Sequence, residues 1–283
     1  MQSQTQLSKF LARFLVVLVL VVIGRPASAD VIANHGGPIL GGAGNPFTIY
    51  PYYYGRGWGG ATSLAVVDEQ LFLTNLASYI SGKYLPPGVN TFLRQYGVVS
   101  TASVASPVVN VTPTATTLSN QDILNAISAA QNANPPTLPH YAANVLILVM
   151  PASGFSPCTS CDSIVWWGYH RAAGANQNYS VTFADSAGCS SGTPLCFSLV
   201  TSHEVFESTT DPGFSVSYAW DNFGPPNVEL CDDAPDNGFS YMGSAFPGCY
   251  DNSLSGNPTT TGYDPPTAFE PVSFIVPITS CLY

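Results

Sequence analysis

Apolar and polar residues along the chain follow first the period of a strand and then that of a helix. Residues 47–54, FTIYPYYY, are rich in aromatic and β-branched side chains and predict a strand. Its alternation places Tyr50, Tyr52 and Tyr54 on one face. Residues 64–80 predict a helix, because apolar residues recur there at helical spacing. They are Leu64, Val67, Leu71, Leu76 and Ile80.

The same alternation continues to the middle of the chain. PVVNVT at 107–112 predicts a strand, and Ser119 or Asn120 is placed to cap a helix that follows. The run NVLILVM at 144–150 is apolar throughout, as in a central strand covered on both faces. The apolar face of the intervening helix is predicted to consist of Ile123, Ile127 and Ala130.

The second half contains more loop. Residues 164–170 and 179–183 have the composition of strands, and 197–209 predicts a helix. After Pro212 the sequence is turn-rich, until 269–278 predicts a last strand. No stretch is typical of a linker between domains. We therefore expect one α/β or α+β domain, a mixed sheet with flanking helices and a loop-rich C-terminal region tied by disulfides.

The first thirty residues differ from this pattern. Lys9 and Arg13 precede an apolar run at 14–23, and the small residues Ala-Ser-Ala at 27–29 offer a cleavage site. This predicts a signal peptide at 1–29 and a mature domain at 30–283, with an uncleaved anchor as the alternative. No later segment is long and apolar enough to span a membrane, so we expect no membrane association after cleavage.

Composition narrows the classes of function. The chain is 46% hydrophobic, which excludes a disordered protein. Removal of the signal peptide leaves 17 acidic against four basic residues, a formal net charge of −13. Binding to nucleic acid requires clustered Lys and Arg, so a nucleic-acid partner is not expected.

All seven cysteines lie in the second half of the chain. In a secreted protein they predict three disulfides and at most one free thiol. Cys158 and Cys161 form a Cys-x-x-Cys pair, for which a structural bridge is favoured over a redox or metal site. The cysteines are Cys158, Cys161, Cys189, Cys196, Cys231, Cys249 and Cys281.

The predicted helix at 197–209 contains the motif HEVFE. On a helix, His203, Glu207 and Asp211 fall along one stripe, with Glu204 turned by about 100° from His203. This resembles the zincin-like arrangement in which two helix residues bind a metal and the Glu after the first His accepts a proton from water. Glu207 stands at the second ligand position and is a competent oxygen ligand. His203 and Glu207 are therefore candidate metal ligands, and Glu204 is the candidate catalytic base.

A third ligand has to come from outside the helix. Glu229 is the first candidate, and Asp232 is a secondary one, as is Asp211 at the end of the helix. Eight of the 17 acidic residues fall between 204 and 236, where no Lys or Arg occurs. A cation would relieve their repulsion. The alternative is a solvated helix face with exposed acidic loops, which needs no ion.

Several short motifs occur in order along the mature chain: HGGPIL at 35–40, IYPYYYGRGW at 49–58, GYH at 168–170, SHEVFESTTDP at 202–212 followed by AW, and ELC at 229–231. Together they resemble the HNGPIL, YYGxW, GFH, AHELAE and DLC motifs of the phosphate-induced protein family, also called the EXORDIUM family of secreted plant proteins. The likeness covers most of the mature chain. It implies an extracellular or cell-wall location and a link to growth and nutrient responses, but no established reaction.

The resemblance bears on individual site residues. His203, Glu204 and Glu207 fall on the family's HExxE, and Glu229 stands where the family has Asp. His170 matches the histidine of GFH and is a secondary candidate ligand, although a histidine among aromatic residues is more often a hydrogen-bonded core residue. The family's cysteine before GFH is a tryptophan here, and DDAPDNG replaces its glycine-rich run after DLC. Disulfide pairing is therefore not carried over.

Three hypotheses follow for the function. The first is a secreted metal-dependent hydrolase acting on peptide bonds, with Zn²⁺ as the expected ion and Mn²⁺ or Ca²⁺ as harder alternatives. The second is a non-catalytic signalling or wall-associated protein with a structural metal. The third is a carbohydrate-binding module that uses the aromatic strand on cell-wall polysaccharide, against which ordinary strand packing is favoured.

Overall fold

The computed structural model describes residues 33–85, 91–114, 116–158, 161, 168–174, 177–184, 194–212, 219–221, 231, 239–241, 244–246, 250–251 and 257–258. Contacts between Cα atoms separate residues 1–31 from residues 32–283, so all described residues belong to the second unit. The predicted signal peptide at 1–29 and the predicted strand at 269–278 lie outside the described residues. Among the helices that are described, none has the length and apolarity needed to cross a bilayer.

The described elements alternate between strands and helices. The helices are α1 (Leu64–Ile80), α2 (Asn120–Gln131) and α3 (Pro194–Thr210), with 3-10 turns at Arg56–Trp58 and Phe92–Tyr96. The strands are β1 (Ala33–Asn34), β2 (Phe47–Tyr54), β3 (Ala102–Val104), β4 (Val108–Asn110), β5 (Thr117–Leu118), β6 (Val145–Pro151), β7 (Ser156–Pro157), β8 (Gly168–Ala172), β9 (Asn178–Thr182), β10 (Trp220–Asp221), β11 (Phe239–Tyr241), β12 (Ser244–Phe246), β13 (Tyr250–Asp251) and β14 (Asn257–Pro258).

One six-stranded mixed sheet organises the fold. Its order is β3-β2-β6-β9-β8, with β4 also paired to β2. All pairs are parallel except β8 with β9, which is antiparallel. Parallel strands require crossover connections, and helices supply these between β2 and β3 and between β4 and β6. The predicted α/β class with a mixed sheet and flanking helices is confirmed.

Helices cover both faces of this sheet. On one face, Ser180 of β9 lies 2.6 Å from Ser208 of α3, oxygen to oxygen, and α1 packs against α3. On the other face, the Tyr179 hydroxyl donates a 2.8 Å hydrogen bond to Asn120 at the start of α2. The central strand β6 is buried at every position, as the apolar run at 144–150 predicts.

Helix α2 has the cap and the buried face that the sequence predicts. Ser119 is the N-cap, and its side chain accepts a hydrogen bond from the Asp122 backbone N–H. The Asp122 carboxylate in turn accepts a hydrogen bond from the Ser119 backbone N–H, which completes a capping box. The predicted apolar positions Ile123, Ile127 and Ala130 are all buried.

Helix α1 has its predicted bounds, but three of its five marked apolar positions face outward. Leu64, Val67 and Leu71 are 79%, 50% and 63% exposed, whereas Leu76 and Ile80 are buried. At about 100° per residue, the five positions divide between two opposite sides of the helix. The sheet side is completed by residues that the spacing did not mark, among them Val66, Glu69, Phe72 and Leu73.

The aromatic strand β2 contributes to the core on both of its faces. Tyr52 and Tyr53 are 2% and 0% exposed, and Tyr54 lies with Tyr52 on one face, as the alternation predicts. The Trp58 indole N–H after the strand donates to the Met150 carbonyl at 2.7 Å. These aromatic side chains are therefore packed against the protein itself, which argues against β2 as a platform for sugar binding.

Glu69 is the one acidic residue on the buried face of α1. It is 7% exposed, and its Oε1 atom has no hydrogen-bond partner among the described residues. Burial raises the pKa of the Glu69 carboxyl from 4.5 to about 8. The native state therefore binds more protons than the unfolded chain between these two values, and this contribution lowers the stability as pH rises through that window.

We predict that Glu69→Gln stabilises the protein at about pH 9 and has little effect at about pH 4, because glutamine carries no charge to bury. The gain at high pH is expected to be on the order of a few kcal/mol. Urea unfolding at both pH values measures it. Asp68→Asn, which removes an exposed carboxylate from the same helix, should show no such pH dependence. Equal effects of Glu69→Gln at both pH values would contradict the assignment.

Candidate metal centre

Helix α3 presents polar side chains to the sheet. It packs against β8 and β9, and every residue from 201 to 212 is buried. A helix against a sheet normally buries an apolar stripe, but here the interface contains hydroxyl, imidazole and carboxyl groups. From α3 these are Thr201, His203, Glu204, Glu207 and Ser208, and from the sheet they are His170, Ser180 and Thr182.

The Glu207 carboxylate lies at the centre of this interface. Its Oε2 atom is 3.2 Å from His203 Nε2, one helical turn earlier, and 3.7 Å from His170 Nδ1 on β8. Its Oε1 atom accepts a 2.9 Å hydrogen bond from the Cys231 backbone N–H. Both imidazoles therefore approach the same oxygen atom, and the other oxygen is held by the backbone.

Glu204, the residue after His203 on α3, also lies beside the His170 imidazole. Its Oε2 atom is 3.5 Å from His170 Nδ1. Burial raises the pKa of the Glu204 carboxyl; the hydrogen bond with His170 and the proximity of His203 act in the opposite direction, and Glu207 raises it further. The interface thus contains two carboxyl groups around one imidazole nitrogen.

The other nitrogen of His170 is held by the end of helix α3. His170 Nε2 lies 3.2 Å from the backbone carbonyl oxygen of Asp211. A carbonyl only accepts, so Nε2 carries the proton and donates it. Nδ1 is the atom that faces Glu204 and Glu207. A metal-binding histidine is typically oriented in this way, by a hydrogen bond from its second nitrogen to a carbonyl or carboxylate.

Asp211 closes the C-terminal end of the site. Its backbone N–H donates to the Glu207 carbonyl at 2.7 Å, and its Oδ1 atom accepts a 2.6 Å bond from the Ala219 N–H. Asp211 therefore holds the segment at 219 against the helix end and presents its carbonyl to His170. Its described contacts are those of a residue that positions His170.

A close approach between β8 and α3 depends on Gly168. A Cβ atom at this position would lie 2.5 Å from Val200 Cγ1 and 2.6 Å from Glu204 Oε1. Contacts under 3.0 Å require one group to shift. Gly168 and His170 share one face of β8, since side chains alternate along a strand. The GYH motif therefore supplies both the space for Glu204 and the imidazole beside it.

Two sets of described residues place three ligand atoms within 4.8 Å of one another. One set is His170, Glu204 and Glu207, and the other is His203, Glu207 and Cys231. Cys231 is disulfide-bonded, so it offers no thiolate. The set with His170 is therefore the better candidate, with His203 beside Glu207. Nitrogen and carboxylate oxygen donors of this kind suit a divalent cation.

The structure brings together five of the predicted site residues: His170, His203, Glu204, Glu207 and Asp211. Glu229 and Asp232 lie outside the described residues, so their predicted ligand roles stay predictions. Sequence reasoning missed Gly168 as part of the site and ranked His170 as secondary. The spacing of Gly168 and His170 in GYH could have identified both as site residues, because positions two apart lie on the same face of a strand.

The cysteines whose state is described are oxidised. Cys158 and Cys161 form a disulfide, which confirms the bridge predicted for that pair. Cys231, whose backbone contacts Glu207, is also disulfide-bonded. No cysteine in the described part of the chain carries a free thiol, while the prediction of three disulfides extends to residues beyond that part.

Fold and site together define an α/β protein with a candidate metal centre buried between a helix and the edge of a mixed sheet. The chain matches no protein-family model and no curated protein. The assignment of this centre therefore rests on its geometry.

We predict that Gly168→Ala destabilises the protein by about 1 to 3 kcal/mol, because the added methyl group overlaps Val200 and displaces Glu204. Denaturant unfolding measures the change. Gly42→Ala is the control: its Cβ would meet only the Ile39 carbonyl oxygen, at 3.6 Å, and its effect should stay within about 0.5 kcal/mol. Equal stability of the two variants would show that the contact at Gly168 is not limiting.

Proposed function

We propose that this protein is a secreted, EXORDIUM-like extracellular or cell-wall protein linked to growth or nutrient response, whose buried centre binds a divalent metal and supports hydrolysis of peptide bonds. The chemical part of the proposal rests on the α3–β8 interface. The biological part rests on the ordered motifs and on the signal-like N-terminal sequence. The two parts are tested separately.

The observation that carries the metal site is the environment of His170 Nδ1. Nδ1 lies 3.5 Å from Glu204 Oε2 and 3.7 Å from Glu207 Oε2, and the three residues place their ligand atoms within 4.8 Å of one another. Two buried carboxyl groups this close repel one another when both are ionised. The Arg171 guanidinium does not supply the charge, since it lies over the Tyr169 ring. A divalent cation held by His170 and Glu207 would compensate this repulsion.

The ligands in this proposal are His170, His203 and Glu207, with Zn²⁺ as the expected ion because imidazole nitrogen and carboxylate oxygen both suit it. When bound, such an ion acts as a Lewis acid that polarises a carbonyl group and activates water. The Glu204 carboxylate, held beside His170, is placed to accept a proton from the attacking water and deliver it to the leaving amine. Glu204 is thus a proton carrier in the proposed reaction.

The proposed extracellular location has two independent supports. The apolar run at 14–23 followed by Ala-Ser-Ala is typical of a secretory signal. The disulfide between Cys158 and Cys161 is typical of proteins that fold in an oxidising compartment. A peptide or cell-wall polysaccharide is the partner class that such a location makes available.

A structural metal without catalysis is the second candidate function, and burial favours it. His170, Glu204 and Glu207 are 4%, 5% and 2% exposed, and His203 is only 8% exposed. A catalytic metal needs an open position for substrate, whereas a structural site is closed. In the hydrolase proposal, substrate therefore has to approach from the side of His203.

We predict that the purified full chain retains about one divalent ion, and that a chelator lowers its melting temperature, because an ion bound only by the folded state stabilises that state. Elemental analysis and thermal unfolding measure these effects. His170→Ala should lose the ion, whereas His35→Ala, which removes an exposed imidazole, should keep it. The metal site would be overturned if the purified protein contains no metal and its melting temperature changes with neither chelator nor added Zn²⁺.

Catalysis is separated from a structural role by Glu204→Gln. If Glu204 carries the proton, this variant should keep its metal and its fold, yet hydrolyse fluorescein-labelled casein roughly 10²-fold more slowly or worse. His203→Ala should instead lose metal and activity together. Asp68→Asn, an exposed carboxylate on α1, is the control and should match the wild type. Full activity of Glu204→Gln, or an inactive metal-loaded wild type, would favour the structural metal.

A further inference from the structure

An open cavity, lined mostly by exposed residues, lies beside α2 on the face of the sheet opposite the metal centre. It has a volume of about 540 Å³, within the range of small-molecule binding sites, roughly 300–1,000 Å³. Its walls come from α2, from the segment that precedes β6 and from the turn between β8 and β9. Since α2 covers the other face of the sheet from α3, the cavity is independent of Glu204 and Glu207. None of the site residues discussed above lines it.

The described part of the cavity wall is polar and contains no Asp, Glu, Lys or Arg, in a chain with 17 acidic residues. His140 is the one imidazole in it. The walls carry four side-chain amides, and each amide offers both donors and an acceptor. A wall without fixed charge gives an ionic ligand no compensation for leaving water. The four amides belong to Gln121, Asn125, Gln131 and Gln177.

Two of these amides are held in place. Gln121 Nε2 donates to Asn125 Oδ1 at 3.0 Å, one turn along α2, and Gln131 Nε2 donates to the Pro139 carbonyl at 2.8 Å. Each of these bonds uses only one of the hydrogen-bond donors or acceptors of the amide. The remaining donors and acceptors are therefore presented from side chains with restricted freedom, which lowers the entropy lost when a ligand binds.

The apolar part of the wall is small. Leu124 and the Tyr141 ring are both half-buried and line the cavity beside the amides. The Tyr141 hydroxyl is buried and makes no hydrogen bond to any described residue. Burial raises the Tyr141 pKa, so the hydroxyl keeps its proton and remains a donor.

From these observations we infer that the cavity under α2 binds a neutral polyhydroxylated ligand, of the class of uncharged sugars. Amide groups that donate and accept match hydroxyl groups that do both, and a short apolar wall with one aromatic ring matches the C–H face of a sugar ring. Because no Lys, Arg, Asp or Glu lines the described part of the wall, acidic sugars, phosphates and peptide termini are not the favoured ligands. The site uses neither the aromatic strand β2 nor the metal centre.

The test is binding of soluble sugars to the full chain by calorimetry. Cellohexaose, xylohexaose and mannohexaose are the neutral probes, and hexagalacturonate is a charged probe of the same length. At least one neutral probe should bind with a Kd below about 1 mM, and hexagalacturonate at least about tenfold more weakly. Ser128→Trp, which places an indole in the cavity from α2, should weaken that binding by about tenfold or more.

The matched control is the next residue on the same helix. Ala129 is exposed but does not line the cavity, so Ala129→Trp should change the affinity by less than about twofold. The inference is overturned if no neutral probe binds at about 10 mM, if hexagalacturonate binds as tightly as the neutral sugars, or if Ser128→Trp binds like Ala129→Trp. Metal content should be unaffected in both variants, so failure here leaves the metal-centre proposal standing.

Discussion

The rest of the site depends on how the buried Glu207 carboxylate is compensated. A carboxylate removed from water is costly unless hydrogen bonds or opposite charge replace its hydration. One oxygen of Glu207 accepts a hydrogen bond from the Cys231 backbone N–H, and two imidazole nitrogens lie near the other oxygen. Its own carbonyl accepts the N–H of Asp211, which ends the helix. Helix α3, the edge strand β8 and the backbone at 231 therefore meet at one side chain.

The sheet topology explains why an edge strand supplies the second imidazole. Strand β8 runs antiparallel to β9 at the end of an otherwise parallel sheet, and His170 pairs with Ser180 in its register. Ser180 in turn contacts Ser208 of α3. Because side chains alternate along a strand, a shift of one residue would turn Tyr169 and Arg171 toward α3 and His170 away. The aromatic and cationic side chains on the other face make that register distinct.

Local sequence patterns predicted most of the strands and helices, but which side of each element is buried depends on tertiary packing. Strand β2 and helix α1 have their predicted bounds since periodicity and turn residues mark them strongly. Strand β3 was missed because it is only three residues long, too short to show a period. Leu64, Val67 and Leu71 are apolar yet exposed, because spacing reveals a helix but not which side faces the sheet. Likewise, HEVFE identified three site positions on one helix, whereas the distance between His170 and His203 along the chain concealed their convergence.

The polar character of the α3 interface argues for a function beyond stability. Thr182 and Thr201 are fully buried there, and the hydroxyls of both lack a hydrogen-bond partner among the described residues. A buried hydroxyl without a partner costs about 1 to 3 kcal/mol, and valine has nearly the same shape without that cost. The carboxyl group of Glu204 adds a further unfavourable desolvation. An interface built only to hold α3 on the sheet would be apolar, as the contact of α2 with the opposite face largely is. The buried polar groups therefore support the proposal of a cation site at this interface.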